Sequence, residues 1–141
     1  MKKVSILYSS NGGNVEVLAN TIAKGAKDSG AEVILKHVRD AKMEDVLEAD
    51  TVAFGSPSLN NNSIDPEFMA PFIKQFKEIV VNDKKTVLFG SYGWDEGAFL
   101  KDWKKTMIDY GFNVIGELAV NEAPENAQLE SAAELGRLLA K

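Results

Sequence analysis

Two short runs, Thr51-Val52-Ala53-Phe54-Gly55 and Thr86-Val87-Leu88-Phe89-Gly90, constrain this chain more than any other feature. Each is almost wholly apolar, rich in β-branched or aromatic side chains, and ends in glycine before a polar stretch. A strand with one wet face alternates apolar and polar residues, whereas a strand that is apolar throughout is covered on both faces. Helices must supply that cover. Further strands are predicted over 4–8, 32–38 and 113–120, the last interrupted by Gly116. Helical stripes alternate with them: Val15, Leu18, Ile22 and Ala26, then a short stretch around Met43, Val46 and Leu47. Phe68, Met69, Phe72, Ile73, Phe76, Ile79 and Val80 predict one long helix. Phe99, Trp103 and Met107 predict another, and Leu129, Ala133, Leu135, Leu138 and Leu139 a last one. Five strands alternating with five helical segments read as an α/β fold: a parallel five-stranded sheet with helices on both faces, in three layers. Right-handed crossovers leave few topologies, and ligands of such sheets bind beyond the carboxyl ends of the strands.

The 141 residues suit one domain, 1–141. A charge balance of 16 basic against 21 acidic residues, net −5, argues against nucleic acid or an anionic membrane as partner. No apolar run approaches the ~20 residues of a membrane span. The start has two lysines but too short an apolar stretch for a signal peptide, so a cytoplasmic location is expected. With no cysteine, thiolate metal sites, disulfides and thiol catalysis drop out, and the single histidine excludes a histidine-rich metal site. Redox or group-transfer chemistry would need a bound cofactor. His37 shows no partner in the sequence and reads as incidental; Lys84-Lys85 reads as a solvated face.

Three loops hold the unusual residues. Ser9-Ser10-Asn11-Gly12-Gly13-Asn14 follows the first strand and leads into a helix. Glycines let successive N–H groups face a concavity, and the helix N-terminus adds free donors and a positive dipole end, which together suit a phosphate. The same residues also fit an ordinary turn with Asn14 as helix N-cap. Neither the Gly-Lys-Ser/Thr of a triphosphate loop nor G-x-G-x-x-G is present. Ser9 and Ser10 stand where a receiver domain would carry an acidic pair for magnesium. After the fourth strand, Ser91-Tyr92-Gly93-Trp94-Asp95 sets two aromatics beside glycine, which suits stacking on a flat ligand or folding over the sheet edge. Trp103 shares a helical stripe and reads as core. After the third strand, Ser56-Pro57-Ser58-Leu59-Asn60-Asn61 opens a connection longer than the usual ~2–6 residues, either functional or a mobile surface loop.

Together these residues resemble the flavodoxins, specifically the short-chain type of anaerobic bacteria, over essentially the whole chain. Leu88-Phe89-Gly90-Ser91-Tyr92-Gly93-Trp94 is nearly identical to that family's flavin loop. Glu67-Phe68 with Pro71-Phe72 and Val120-Asn121-Glu122-Ala123-Pro124-Glu125 are similar to its other segments. The resemblance implies a sheet in the order 2-1-3-4-5 with FMN at its switch point, a placement for which this fold is itself the standard illustration. It implies an electron carrier that passes single electrons between redox enzymes, with no catalytic side chain and no metal, most simply as a monomer. Ser9, Ser10, Asn11, Gly12, Gly13, Asn14 and Val15 would surround the phosphate. Ser56, Pro57, Ser58, Leu59, Asn60 and Asn61 would belong to the ring site, with backbone groups from Ser58 to Asn61 on the ring edges. Ser91, Tyr92, Gly93, Trp94, Asp95, Gly97 and Asn121 would complete that site, with backbone groups from Ser91 to Asp95 on the edges, Trp94 stacked on the outer face of the ring and Leu59 on the inner. Gly12 and Val15 depart from the family, replacing two threonines whose hydroxyls contact the phosphate. Two other readings remain open: a flavin enzyme reducing a quinone-like substrate with NADH or NADPH, and a related module that has lost FMN.

Overall fold

Strand β1 (Lys3–Tyr8) pairs in parallel with β2 (Glu32–His37) on one side and β3 (Thr51–Pro57) on the other. Next to β3 lies β4 (Lys85–Tyr92), followed by β5 (Asn113–Asn121), again in parallel, which gives the expected order 2-1-3-4-5. The computed structural model describes residues 1–10, 12–59, 63–94 and 96–141, and structural statements concern those residues. Helices α1 (Asn14–Asp28), α2 (Met43–Leu47), α3 (Met69–Lys74) and α4 (Ala98–Asp109) occupy the four crossovers, and α5 (Asn126–Leu139) follows β5. Among the described residues no helix is long and apolar enough to cross a membrane.

Alternation along the strands divides the core into two layers. Ile6, Ala53, Val87 and Phe89 cluster with α1 and α5; Leu7, Val52, Phe54 and Leu88 cluster with α3, α4 and Val46 of α2. All seven residues of β3 are buried, as its apolar run requires. Phe54 anchors the second layer, its ring 6.5 Å from Phe72 and 5.8 Å from Phe112, with Phe76 touching both of those. Trp103 lies in this layer, as its helical spacing indicated.

Three local expectations change, and a fourth, the interruption of β5 at Gly116, is met. β3 and β4 each run two residues past their apolar cores, because Ser56 pairs with Gly90 and Pro57 with Ser91. Ser56, Pro57, Ser91 and Tyr92 are therefore strand residues, not loop. Proline is tolerated at the very end of β3, where the ladder stops. The long helix predicted over 68–80 is only α3 followed by a 3₁₀ turn, Gln75–Glu78. The β-branched run Ile79-Val80-Val81 disfavours a further helical turn; Ile79 is extended and Val80 is 78% exposed. Gly116 marks an irregularity in β5: Val114 faces Thr86 and Gly116 faces Val87, which leaves Ile115 as the extra residue. Lys84 is not a freely solvated charge, since its ammonium donates to the carbonyls of Leu47 and Ala49 at the end of α2.

Helices α1 and α5 pack so closely that two glycines form their contact. A Cβ on Gly136 would stand 2.1 Å from the Ile22 carbonyl oxygen, and one on Gly25 would stand 2.3 Å from that of Ala133. Both obstacles are backbone and cannot swing aside. Gly136→Ala is expected to destabilise the protein by about 1–3 kcal/mol through overpacking. That outweighs the ~1 kcal/mol by which alanine favours a helix over glycine. The midpoint of urea unfolding measures the difference.

Candidate functional site

Four loops open on the carboxyl edge of the sheet, and backbone hydrogen bonds tie their roots together. The Ser9 amide donates to the Gly55 carbonyl at 3.0 Å, Ser58 to Ser91 at 2.8 Å and Glu122 to Tyr92 at 2.8 Å. Strand order reverses between β1 and β3, so the loops after these strands flank the crevice where open α/β sheets bind ligands.

In the first loop Gly12 and Gly13 have φ of 93° and 92°, a left-handed conformation that L side chains rarely adopt. Gly13 is the N-cap of α1, and no side chain caps this helix. Asn14 is thus the first helical residue rather than the cap. The amides of the first turn are left for an incoming acceptor, and the dipole favours a negative one. Val15 is 1% exposed and packs in the α1 core layer, so only its backbone amide belongs to the loop. Ser9, 3% exposed, and Ser10 both have hydroxyl oxygens shut off from solvent and, among the described residues, without a hydrogen-bond partner. An unsatisfied buried hydroxyl costs on the order of 1–3 kcal/mol, a cost that a ligand acceptor would remove after a turn about χ1.

The second loop is pinned at its ends. The Ser56 hydroxyl is fully committed within the protein, donating to the Pro57 carbonyl and accepting the Asp65 amide. Leu59 and Ser63 exchange N–H···O bonds in both directions, which closes the loop at its neck. In the third loop Trp94 is 97% exposed beside Gly93, while Tyr92 is half-buried against the core. Gly97, at φ 86°, is the N-cap of α4. Asn121, paired with Tyr92 at the end of β5, lies exposed on the same edge. Asn11, Asn60, Asn61 and Asp95, expected at the site, lie outside the described residues.

Of the candidate residues, Ser9, Ser10, Pro57 and Leu59 line one cleft of about 280 Å³. Its other walls are residues the sequence did not assign to the site: His37 and Arg39 at and just after the end of β2, and Asp65, Glu67 and Phe68 ahead of α3. Asp65 accepts the amides of Glu67, Phe68 and Met69 at 3.0, 3.1 and 3.2 Å. The dipeptide Asp65-Pro66 is a legible helix-start signal. His37 had no local signal, because its partners come from other elements. Its ring sits 5.6 Å from Tyr8 and edge-on to Phe68 at 5.5 Å, and its Nδ1 accepts the Arg39 amide at 3.1 Å. Burial, and then the nearby Arg39 charge, hold the imidazole below its ordinary pKa.

An open parallel sheet with a ligand crevice at its switch point defines the class of this protein, an α/β binding domain of doubly wound type. The sequence model of the Flavodoxin family matches residues 6–136. The flavodoxin of Megasphaera elsdenii is 36% identical over 138 residues, covering 98% of each chain. That of Clostridium beijerinckii is 32% identical over 138 residues, covering 97% of this chain and 99% of its own. The solution structure of the two-electron reduced Megasphaera elsdenii flavodoxin superposes with a TM-score of 0.86 over 97% of this chain and 98% of its own. The coenzyme F420H(2) oxidase of Methanothermobacter thermautotrophicus is 27% identical, but the matched region is 35% of its length. The chain belongs to the flavodoxin family, whose members carry electrons on a bound flavin, as the flavin-loop motif implied.

His37 carries a pH dependence whose sign follows from its depressed pKa. The folded state binds fewer protons than the unfolded chain, whose histidine titrates near ~6.5. His37 therefore contributes stability above that value, and the contribution is lost as pH falls through the lower, folded pKa. In urea titrations from pH 7.5 to 5, wild type should weaken below about pH 6.5. His37→Phe should flatten that part of the slope; an unchanged slope would assign it to other groups.

Proposed function

We propose that this chain holds one FMN at the edge formed by the loops after β1, β3 and β4, and works as a monomeric, cytoplasmic one-domain electron carrier between redox enzymes. One observation carries the reading. A helix N-terminus without a side-chain cap, two buried serine hydroxyls without partners and a fully exposed tryptophan stand on one edge of the sheet. Each is unfavourable or idle alone, and a phosphorylated aromatic ligand would satisfy all three.

When bound, the flavin supplies the redox chemistry, and the protein tunes it by what surrounds it. The amides from Gly12 to Val15, with the hydroxyls of Ser9 and Ser10 and the Asn14 side chain, would take the phosphate. Backbone from Pro57 to Leu59 and from Ser91 to Gly93, with Gly97 and Asn121 nearby, would line the ring's edges. Leu59 and Trp94 would cover its faces. Asn11, Asn60, Asn61 and Asp95 complete the proposed set from sequence. No side chain is assigned as acid, base or nucleophile. The net charge of −5 disfavours added negative charge at the site and so favours release of an electron.

Two measurements test this reading. FMN should bind the apoprotein more tightly than riboflavin, by roughly a hundredfold, the equivalent of one or two hydrogen bonds to a charged group. Equal affinities would refute the phosphate assignment. Trp94→Ala should weaken FMN binding by about 1–3 kcal/mol, by analogy with base stacking on aromatics. The same variant should recover flavin fluorescence that the indole quenches. A variant that stays dark at unchanged affinity would move the stacking role to Tyr92.

A further inference from the structure

Ser56 offers a ligand no side-chain contact: it is fully buried, and both hydrogen bonds of its hydroxyl, each 2.8 Å, stay within the protein. The groups it joins are significant. It donates to the carbonyl of Pro57, the entry of the segment that carries Leu59, and accepts the amide of Asp65, the exit of that segment. Asp65 passes the restraint on, because its carboxylate holds the amides of Glu67, Phe68 and Met69 and its carbonyl accepts the Ala70 amide at 2.9 Å. Inside the segment, Leu59 and Ser63 are paired at 2.7 and 2.8 Å, and the Ser58 amide is bound to Ser91 of β4. Of these ties, the one joining entry to exit rests on a single hydroxyl.

We propose that Ser56, continued by Asp65, is a positioning residue that presets residues 57–59 against 63–65, and so places Leu59 for the flavin ring. The proposal deepens the FMN reading above and rests on it. A segment ordered before the ligand arrives does not lose that freedom on binding, so preorganisation appears directly as affinity. Without the hydroxyl, the Pro57 carbonyl and the Asp65 amide lose their buried partner. The segment must then shift or admit water to satisfy them.

The test uses the full chain. Ser56→Ala and Asp65→Ala are titrated with FMN and with riboflavin, and the apoproteins are followed by urea unfolding and amide hydrogen exchange. Ser56→Ala should weaken both flavins by about tenfold and by the same factor, because the segment meets the ring and not the phosphate. The amides of Leu59, Ser63 and Asp65 should exchange faster while those of β1 and β4 keep their protection. Asp65→Ala keeps the amide that Ser56 accepts but removes the carboxylate that holds the amides of Glu67, Phe68 and Met69, so the exit loses its outer anchor and both affinities should move the same way. A folded Ser56→Ala protein with unchanged affinities overturns the proposal and leaves Ser56 a purely structural residue. A loss confined to FMN, with riboflavin unaffected, also overturns it by putting the effect in the phosphate loop. Should Ser56→Ala fail to fold, Ser56→Cys, nearly the same size but a weaker hydrogen-bonding group, is titrated in its place and decides by the same comparison. A wild-type chain that takes up neither flavin refutes the FMN reading, and the exchange rates at Leu59, Ser63 and Asp65 then judge the latch by themselves.

Discussion

The placement of β3 between β1 and β4 is the constraint on which the rest of the structure depends. Its seven residues are all buried, so its backbone groups can be satisfied only by the two neighbouring strands and its side chains only by two helical layers. Both layers meet on this strand, with Ala53 in one cluster and Phe54 in the other. Where β3 ends, the order of pairing brings the loops after β1 and β4 to either side of its own. The crevice is thus a consequence of burial at the centre.

The proposed phosphate and ring loops contain no lysine or arginine over 9–15, 56–64 or 91–97. Arg39, which shares the cleft with Ser9 and Ser10, comes from the segment after β2. Within those loops, amides, hydroxyls and a helix dipole would meet a phosphate. Such donors are fixed in direction and cost little reorganisation, since Gly12 and Gly13 already hold the left-handed turn. The exposed Trp94 is the opposite kind of group, an apolar surface left in water until something flat covers it.

The helical layers show how far a local pattern can carry. The stripe Val15, Leu18, Ile22, Ala26 described the buried face of α1 correctly, but the glycine pair that lets α5 approach it is invisible to periodicity. Gly25 and Gly136 lie far apart in sequence and matter only because their backbones meet. Likewise, the apolar spacing from Phe68 to Val80 suggested one helix, while the β-branched end of that stretch turned away into 3₁₀ and extended backbone.

By itself the sequence determined the number of strands, their parallel arrangement, the two-sided burial and the loops in which unusual residues gather. Those properties follow from local composition, since an apolar run needs cover and a glycine-rich turn admits only certain backbones. The flavin-loop motif, residues 88–94, is contiguous in the chain and so makes the family legible in the sequence as well. Tertiary structure alone decided which side chains in those loops face outward and which hold the loops in place. Ser56 and Val15 stand among the site residues in sequence, yet one is spent on the Asp65 amide and the other on the core. His37, with nothing notable beside it in sequence, becomes a cleft wall through Tyr8 and Phe68. A side chain's direction depends on partners brought in from distant elements, and no local pattern records them.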